Sequence, residues 1–320
     1  MEILFIKTSS LGDVIHHMPA LTEARRRRPD ARFTWAVEEA YAPLLRMHEA
    51  SPAVVAVGAR RWRRAFVSPG TWDEARSFAE KLRTREYDAI IDTQGLIKSA
   101  VIARIAQGPR HGYDRNSIRE PIASHLYNVR HAVSRDLHAI ERNRRLTGLV
   151  LGYQPSGEPD YGLNRTRLAS PSDRYAVFLH ATARAEKEWP EADWIALGRA
   201  LADTGCRYVL PWGEGRERAR SERLAAALAG SEIPERRPLD DVARLIAGAA
   251  FVVGVDTGLV HLAAAMKVPL VAVFVGSEPG LTGPVGTGPM KILGGKGEPP
   301  AVAAVADAVR EVLRQEPASR

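Results

Sequence analysis

The stretch Phe251-Val-Val-Gly-Val-Asp-Thr-Gly-Leu-Val-His-Leu-Ala-Ala-Ala265 predicts a short buried strand that ends near Asp256 and turns directly into a helix. A helix that begins at the carboxyl end of a strand leaves its first N–H groups unpaired and carries about half a positive charge there. The stretch therefore predicts an α/β fold with an anion site, suited to a phosphate, at Thr257 and Gly258. On the residues alone, Asp256 could equally be a helix cap and His261 an ordinary helix residue.

Strands and helices alternate on both sides of this stretch. Short apolar segments, beginning at residues 3–6, are separated by segments with helical spacing, which predicts mostly parallel sheets. Residues 152–162 concentrate turn formers and predict a linker. We therefore expect two doubly wound, Rossmann-like domains, 1–165 and 166–320, that face each other across a cleft. The amphipathic segment near the carboxyl terminus predicts a last helix that is a candidate to pack back on the first domain.

Length and composition restrict the class of protein. A chain of 320 residues that is 45% apolar can bury the cores of two domains. Its one cysteine, Cys206, excludes an internal disulfide and favours a reducing compartment. The amino-terminal apolar run is too short for a signal peptide, and no segment approaches the roughly 20 apolar residues of a membrane span. These features predict a soluble, cytoplasmic protein.

The positive charge lies in the first half of the chain. Residues 1–165 contain 26 Lys and Arg against 19 Asp and Glu, whereas residues 166–320 contain 19 of each. The net charge of +7 therefore belongs to the first predicted domain and indicates an anionic partner, either nucleic acid or a lipid surface. No helix-turn-helix signature, RNP run or zinc-ligand spacing occurs, which disfavours nucleic acid.

The loop after the first strand carries little information by itself. Lys7-Thr-Ser-Ser-Leu-Gly-Asp13 lacks G-x-G-x-x-G, which counts against a hydride-transfer enzyme. Within this loop Lys7 could neutralise a substrate or pair with Asp13. The residues alone favour Asp13 as a plain cap of the next helix.

Five motifs in collinear order give the chain a family likeness. They are Lys7-Thr-Ser-Ser-Leu-Gly-Asp13, Asp92-Thr-Gln-Gly-Leu-Ile-Lys98, His180-Ala-Thr182 with Lys187-Glu-Trp-Pro190, Pro211-Trp-Gly213 and Val255-Asp-Thr-Gly-Leu-Val-His261. Together they resemble the lipopolysaccharide heptosyltransferases of glycosyltransferase family nine, which have the two-Rossmann GT-B fold. The resemblance covers nearly the whole chain. It implies transfer of L-glycero-D-manno-heptose from ADP-heptose to the first Kdo of Kdo2-lipid A in lipopolysaccharide inner-core biosynthesis, with inversion and without metal or cofactor.

The resemblance also implies roles for individual residues. An inverting transfer needs a base that takes the proton of the acceptor hydroxyl, and Asp13 matches that base. The donor would be bound by Thr182, Lys187, Glu217, Asp256, Thr257, Gly258 and His261. No D-x-D metal pair is present, so cations and N–H groups would stabilise the leaving diphosphate. Ala183 stands where a second threonine is often found, so one phosphate contact is missing or supplied elsewhere.

The acceptor carries carboxylates and phosphates, which suit arginine and lysine. The acceptor-binding candidates are Arg60, Arg61, Lys98 and Arg119. The run Arg25 to Arg28 is interpreted instead as a solvated helix end or a general contact to anionic lipid. The resemblance thus predicts an enzyme at the cytoplasmic face of the inner membrane, without nucleic acid as partner, whose domains close on the substrates.

Three other interpretations remain open at this point. A related heptosyltransferase could add the second heptose, the protein could be a basic nucleic-acid-binding module, or it could bind a sugar nucleotide without chemistry. The sequence does not indicate the oligomeric state.

Overall fold

The computed structural model describes residues 1–65, 67–169 and 174–315. The chain divides into two compact units, Met1–Gly162 and Leu163–Arg320. The predicted boundary was residue 165, a few positions further along the chain.

The sheet of the first unit has six strands. They are β1 (Glu2–Ile6), β2 (Arg32–Glu38), β3 (Ala53–Val57), β4 (Ala89–Asp92), β5 (Arg110–Tyr113) and β6 (Val129–His131). All neighbours pair in parallel, in the order β3-β2-β1-β4-β5-β6. In β1 the four residues from Ile3 to Ile6 are all fully buried. Because successive side chains point to opposite faces, both faces of this sheet are covered.

The helices of the first unit connect these strands. They are α1 (Leu11–Arg27), α2 (Ala42–Arg46), α3 (Ala59–Arg64), α4 (Pro69–Arg83), α5 (Ile97–Ile105) and α6 (Ala139–Leu151), with 3-10 helices at Glu39–Tyr41 and Pro121–Leu126. Pro19 lies inside α1. The helix begins at Leu11 because Asp13 accepts the N–H of Ser10 and fixes the first turn.

The sheet of the second unit has five strands. They are β7 (Tyr175–Leu179), β8 (Arg207–Val209), β9 (Phe251–Val255), β10 (Leu270–Phe274) and β11 (Met290–Gly294). All neighbours are parallel, in the order β11-β10-β9-β7-β8. Read from β8, this is the 2-1-3-4-5 order of flavodoxin-like sheets, whereas the first unit has the 3-2-1-4-5-6 order of dinucleotide-binding domains. Both belong to the doubly wound class that the sequence predicted.

The helices of the second unit are α7 (Arg165–Leu168), α8 (Glu191–Ala200), α9 (Gly215–Ala227), α10 (Leu239–Gly248), α11 (Gly258–Ala265) and α12 (Val302–Gln315), with 3-10 helices at Ala185–Lys187 and Ala202–Thr204. The apolar face of α12, which includes Val305, Val309 and Val312, is buried in the core of its own unit against α8 and β10. That this helix is a candidate to pack back on the first domain stays a prediction.

Short peripheral strands were missed by the sequence prediction. β6 lies before α6, which begins at Ala139. β5 and β6 are only four and three residues long and contain His and Arg, so they lack the apolar run that identifies a buried strand. β11 was missed for the same reason, because its residues are only partly buried or exposed.

The arginine run at the end of α1 is exposed at Arg26, Arg27 and Arg28, and these side chains also have partners within the first unit. Arg26 pairs with Asp160, Arg27 donates to Ser156 Oγ at 3.0 Å, and Arg28 donates to the carbonyl of Leu151. The sequence did not predict these partners, because they are distant along the chain. The segment that was predicted to be a linker thereby contacts the first unit.

Candidate active site

The loops after β1 and β4 meet where the strand order of the first unit reverses. Gln94 Oε1 accepts the N–H groups of Thr8 and Ser9 at 3.0 and 3.2 Å and so ties the two loops together. Ligands of doubly wound sheets bind at this reversal, outside the carboxyl ends of the strands. The two amino-terminal motifs of the sequence therefore occupy the expected ligand site of the unit.

Asp13 lies in the first turn of α1 and is partly buried. Its Oδ2 accepts the N–H of Ser10 at 2.8 Å and the Ser10 hydroxyl at 3.2 Å. Among the residues that the structure describes, no hydrogen bond is made by Oδ1. The capping role and a catalytic role therefore do not compete, because each can use a different oxygen.

Lys7 follows β1 directly and is buried. Its Nζ donates to the carbonyl of Thr93 at 2.8 Å and to Asn143 Oδ1 at 3.4 Å. Burial lowers the pKa of Lys7, and the nearby charges of Asp13 and Asp92 oppose that shift. Asp13 thus acts on Lys7 as a nearby charge, while the hydrogen bonds of Lys7 hold the loop.

Two of the predicted acceptor residues lie close to Asp13. Lys98, at the start of α5, donates from Nζ to Ser9 Oγ at 2.8 Å. Burial lowers the pKa of Lys98, and the charges that act on it include those of Glu38, Arg60 and Asp13. Arg60 donates to the hydroxyl of Tyr41 at 2.7 Å and its guanidinium stands over that ring. The first unit therefore gathers a carboxylate and two cations at one edge of its sheet.

The other two acceptor candidates differ from these. Arg61 is bound on one side by Glu39 at 3.0 Å and on the other by Glu74, and these hydrogen bonds raise its pKa. Its guanidinium is therefore less available to a ligand than the sequence suggested. Arg119 is exposed in the loop after β5. Its positive charge lowers the pKa of Lys7, although less than burial does, so Arg119 belongs to the same edge.

The strand order of the second unit reverses between β7 and β9, and Asp256 lies there. Its Oδ2 accepts hydrogen bonds from Lys187 Nζ and Ser277 Oγ, each at 2.5 Å, and its carbonyl accepts the Thr182 hydroxyl at 3.0 Å. Burial alone would raise the pKa of Asp256. The hydrogen bonds from Lys187 and Ser277 and the positive charge of Lys187 outweigh burial, with a smaller effect of His261. Together they hold the pKa of Asp256 below its usual value.

The helix that follows Asp256 has an uncapped start. Thr257 is its N-cap residue but makes no capping hydrogen bond with its side chain, and the helix begins at Gly258. Asp256 is therefore not the helix cap that the sequence allowed. Asp256 precedes the N-cap residue, and Lys187 neutralises its carboxylate. The first N–H groups of α11 therefore stay available to an anion. His261, one turn further on, is buried on the same helix.

Glu217 occupies the first turn of α9, after β8. Its Oε2 accepts the N–H groups of Gly213 and Glu214 at 2.6 and 3.3 Å, which fixes the Pro211-Trp-Gly213 turn. In the described part of the chain Oε1 makes no hydrogen bond. Glu217 thus repeats the arrangement of Asp13, with one oxygen used by the helix start and the other open.

Sequence reasoning missed Ser277 and gave no role to His180. Ser277 reaches Asp256 because Gly276 packs against the backbone of Glu186, where a Cβ would collide with the carbonyl. A Gly-Ser pair at the carboxyl end of the strand beside β9 could have indicated this contact. His180 is fully buried with Nε2 at 2.9 Å from Ser221 Oγ, and burial lowers its pKa to about 3. It is therefore a neutral structural link to α9.

Neither a metal-binding cluster nor a membrane-spanning helix occurs within the described residues. Within residues 1–65, 67–169 and 174–315, no group of three or more His, Cys, Asp or Glu is placed to hold a metal ion. In the same ranges no helix has both the length and the apolar character needed to cross a bilayer.

Two Rossmann-like units, one with an open carboxylate beside cations and the other with an uncapped helix start after a neutralised aspartate, fit the class of two-domain nucleotide-sugar glycosyltransferases. The family model for glycosyltransferase family 9 (heptosyltransferase) matches residues 75–305, and the chain belongs to this family. It is therefore an enzyme, which sets aside a binding protein without chemistry.

Similar proteins support the assignment. The chain is 45% identical over 295 residues to lipopolysaccharide heptosyltransferase 1 of Escherichia coli strain K12, covering 91% of this chain and 92% of the relative. It also superposes on the E. coli heptosyltransferase WaaC with ADP, at TM-score 0.91 and 42% identity over 98% of this chain and 100% of the other. The same E. coli enzyme with ADP-2-deoxy-2-fluoro heptose matches at TM-score 0.86 and 42% identity, over 99% and 100% of the two chains. The fold is that of the GT-B heptosyltransferases.

Proposed function

We propose that this enzyme transfers L-glycero-D-manno-heptose from ADP-heptose to the first Kdo of Kdo2-lipid A, in the assembly of the lipopolysaccharide inner core. The observation that carries the proposal is the open Oδ1 of Asp13 beside Lys98 and Arg60, because it combines a base with cations for an acidic sugar acceptor. The 45% identity to a lipopolysaccharide heptosyltransferase 1 supports the choice of sugar and acceptor.

The donor is bound by the second unit in this proposal. The N–H groups at Thr257 and Gly258 donate hydrogen bonds to the diphosphate at the start of α11. Lys187 offsets the charge of Asp256, which would otherwise repel the diphosphate. Thr182 and His261 complete the diphosphate contacts.

Two carboxylates of the second unit bind hydroxyl groups of the donor. Glu217 accepts a ribose hydroxyl with its open Oε1, since Oε2 is already bonded to backbone N–H groups. Asp256 accepts sugar hydroxyls with the carboxylate oxygen that Lys187 and Ser277 leave available.

The proposed chemical step uses groups from both units. Asp13 takes the proton of the acceptor hydroxyl, and the hydroxyl oxygen forms a bond to the anomeric carbon of heptose as the bond to the β-phosphate oxygen breaks. ADP leaves with the electron pair of that bond, and the α11 N–H groups with Lys187 stabilise its charge. Attack from the face opposite ADP inverts the anomeric carbon. Because side chains and N–H groups supply the stabilisation, the step as proposed uses no metal.

The acceptor is bound by the first unit. Lys98 and Arg60 offer charged donors to the Kdo carboxylates, and Arg119 lies at the same edge. Arg61 has a smaller part because Glu39 and Glu74 already bind it. Since this acceptor is a lipid, the proposal places the enzyme at the anionic cytoplasmic surface of the inner membrane.

Transfer of labelled heptose tests the proposal. We expect transfer from ADP-heptose, and not from UDP- or GDP-sugars, to Kdo2-lipid A, with the same rate in the presence of a chelator. Transfer only to an acceptor that already carries one heptose would instead assign the second addition. No transfer from ADP-heptose to either acceptor would overturn the proposal, and loss of activity with the chelator would overturn its metal-independent step.

A further inference from the structure

One face of the first unit exposes several large apolar side chains. It is formed by α4, α5 and the 3-10 helix Pro121–Leu126, and α5 packs against both neighbours. The exposed residues are Trp72 (64%), Ile97 (44%), Val101 (47%) and Ile122 (70%). We call these elements, with these four residues, the docking face.

The exposed residues are not misplaced core residues. α4 buries Phe78 and Leu82, and Trp72 lies on a different side of that helix. On α5, Ile97 and Val101 are four positions apart and therefore share one exposed stripe. Single exposed apolar residues need no explanation, but several on adjacent elements indicate an interaction surface.

The charge around the docking face is positive. α4, α5 and the 3-10 helix together contain five Lys and Arg against three Asp and Glu, a net charge of +2. Arg76 and Arg83 on α4 and Lys98 and Arg104 on α5 are among the five. An apolar surface with a basic border fits an anionic bilayer, which offers both hydrocarbon and negative headgroups.

The position of the docking face matches the acceptor site. Trp72 lies in the first turn of α4, Ile97 begins α5, and Ile122 lies in the first turn of the 3-10 helix. α5 follows β4 directly, so its start lies at the carboxyl edge of the parallel sheet, and the N–H of Ile97 donates to Glu120, which precedes the 3-10 helix, at 2.6 Å. α3 lies between β3 and α4, and Trp62 of α3 donates to Glu74 near the start of α4 at 2.7 Å. Asp13 and Lys98 lie at that same edge, and the sugar of a membrane-anchored acceptor has to remain close to the headgroups.

We propose that the docking face sits on an anionic lipid bilayer, with the four apolar side chains in the headgroup region and the basic side chains on the lipid phosphates. The inference rests on the proposed function, because a lipid acceptor gives the enzyme its reason to be at a bilayer. It identifies the surface that makes the contact, in place of the Arg25 to Arg28 run, whose side chains are hydrogen-bonded to the first unit itself.

Binding to vesicles tests the docking face. The variant Ile97→Ser/Val101→Ser/Ile122→Ser should bind phosphatidylglycerol-containing vesicles about tenfold more weakly than the wild-type chain in co-sedimentation. The matched control Leu149→Ser/Leu281→Ser/Ile292→Ser replaces apolar residues of similar exposure elsewhere and should bind like wild type. Wild-type binding to pure phosphatidylcholine vesicles should be weak. Brominated lipids should quench wild-type fluorescence more than that of Trp72→Phe.

The outcomes separate this proposal from the proposed function. The docking variant should transfer heptose to a de-acylated, water-soluble Kdo acceptor as wild type does, and should lose transfer only to Kdo2-lipid A in vesicles. If the chain transferred no heptose at all, the vesicle measurements would still report on the docking face. Equal binding by the docking and control variants, or self-association of the wild-type chain that the docking variant abolishes, would overturn it.

Discussion

The carboxyl edges of the two units each carry an aspartate at the point where the strand order reverses, but in different states. Asp13 gives one oxygen to the start of α1 and keeps the other open. Asp256 is bound by Lys187 and Ser277, and its pKa is held low against the effect of burial. A base needs an open carboxylate, whereas a diphosphate site needs its nearby negative charge neutralised. Similar folds thus present opposite electrostatics to a ligand.

The largest expected effect comes from removing the open carboxylate. Asp13→Asn should lower kcat for heptose transfer about 10³-fold, because the amide cannot accept the acceptor proton. ADP affinity by calorimetry should stay within about twofold, since Asp13 belongs to the first unit. The amide oxygen can still accept the N–H of Ser10, so thermal stability should change little. A variant that kept most of its activity would remove Asp13 from the mechanism.

The second largest effect should come from the neutralised aspartate of the second unit. Lys187→Met should weaken ADP binding about 10- to 100-fold, because it removes a charged hydrogen-bond donor and leaves the charge of Asp256 uncompensated. Lys296→Met, an exposed lysine of the same unit, is the control and should bind ADP normally. Unchanged ADP affinity in Lys187→Met would contradict the assigned role.

The same variant should change the response to acid. In the wild-type chain the folded-state pKa of Asp256 is depressed, so its contribution to stability is present above the unfolded pKa and is lost as pH falls through the folded value. Without Lys187 the burial effect is left with less opposition, and the pKa should rise. Thermal unfolding of Lys187→Met between pH 3 and pH 6 should therefore show a smaller benefit of raising the pH than wild type does.

A third effect should be similar in the two units. Burial lowers the pKa of His180 to about 3 and that of His48, whose Nε2 lies 3.1 Å from Thr22 Oγ1, to about 4. Each folded unit therefore keeps a neutral histidine. In the unfolded chain the same histidine becomes protonated once the pH falls below its ordinary pKa. Lowering the pH from 8 to 5 should cost about 2 kcal/mol of unfolding free energy for each histidine. Urea unfolding of His48→Gln and His180→Gln should show correspondingly weaker pH dependence, and an unchanged dependence in both would contradict this.

The smallest effect distinguishes two neighbouring arginines. Arg60→Ala should lower kcat/KM for the acceptor about tenfold, while Arg61→Ala should change it by no more than about twofold, because Glu39 and Glu74 already bind Arg61. Kinetics at varied Kdo acceptor concentration measures both. The reverse ranking would mean that a ligand displaces the two glutamates.

The sequence predicted the strands that pass through the middle of each sheet. β1, β7, β9 and β10 are continuous apolar runs because both faces of a central parallel strand are buried. β5, β6 and β11 were missed because short or partly exposed strands need no such run. The start of α1 agrees with the capping role that the residues alone favoured for Asp13, which accepts the N–H of Ser10.

The sequence predicted which residues form the candidate site, but not which hydrogen bonds and ion pairs these residues make. The motifs identify Lys7, Asp13, Lys187 and Asp256, yet nothing in them indicates that Lys187 pairs with Asp256 or that Lys7 donates to Thr93. Ser277 carries no motif and enters the site through the close packing of Gly276. From the sequence, Arg61 is predicted to bind a ligand and the Arg25 to Arg28 run to be solvated. The sequence does not predict the partners of Arg61, Arg26, Arg27 and Arg28, because those partners come from other segments of the chain.

The sequence by itself determined the doubly wound class, the central strands and the helix start after β9, since periodicity and turn residues act over a few positions along the chain. The tertiary structure decided the strand orders, which aspartate is open and which is neutralised, and which arginines remain available to a ligand. These properties depend on contacts between segments tens to more than a hundred residues apart. The pairing of Lys187 with Asp256 and of Arg28 with the carbonyl of Leu151 exists only once the chain has folded.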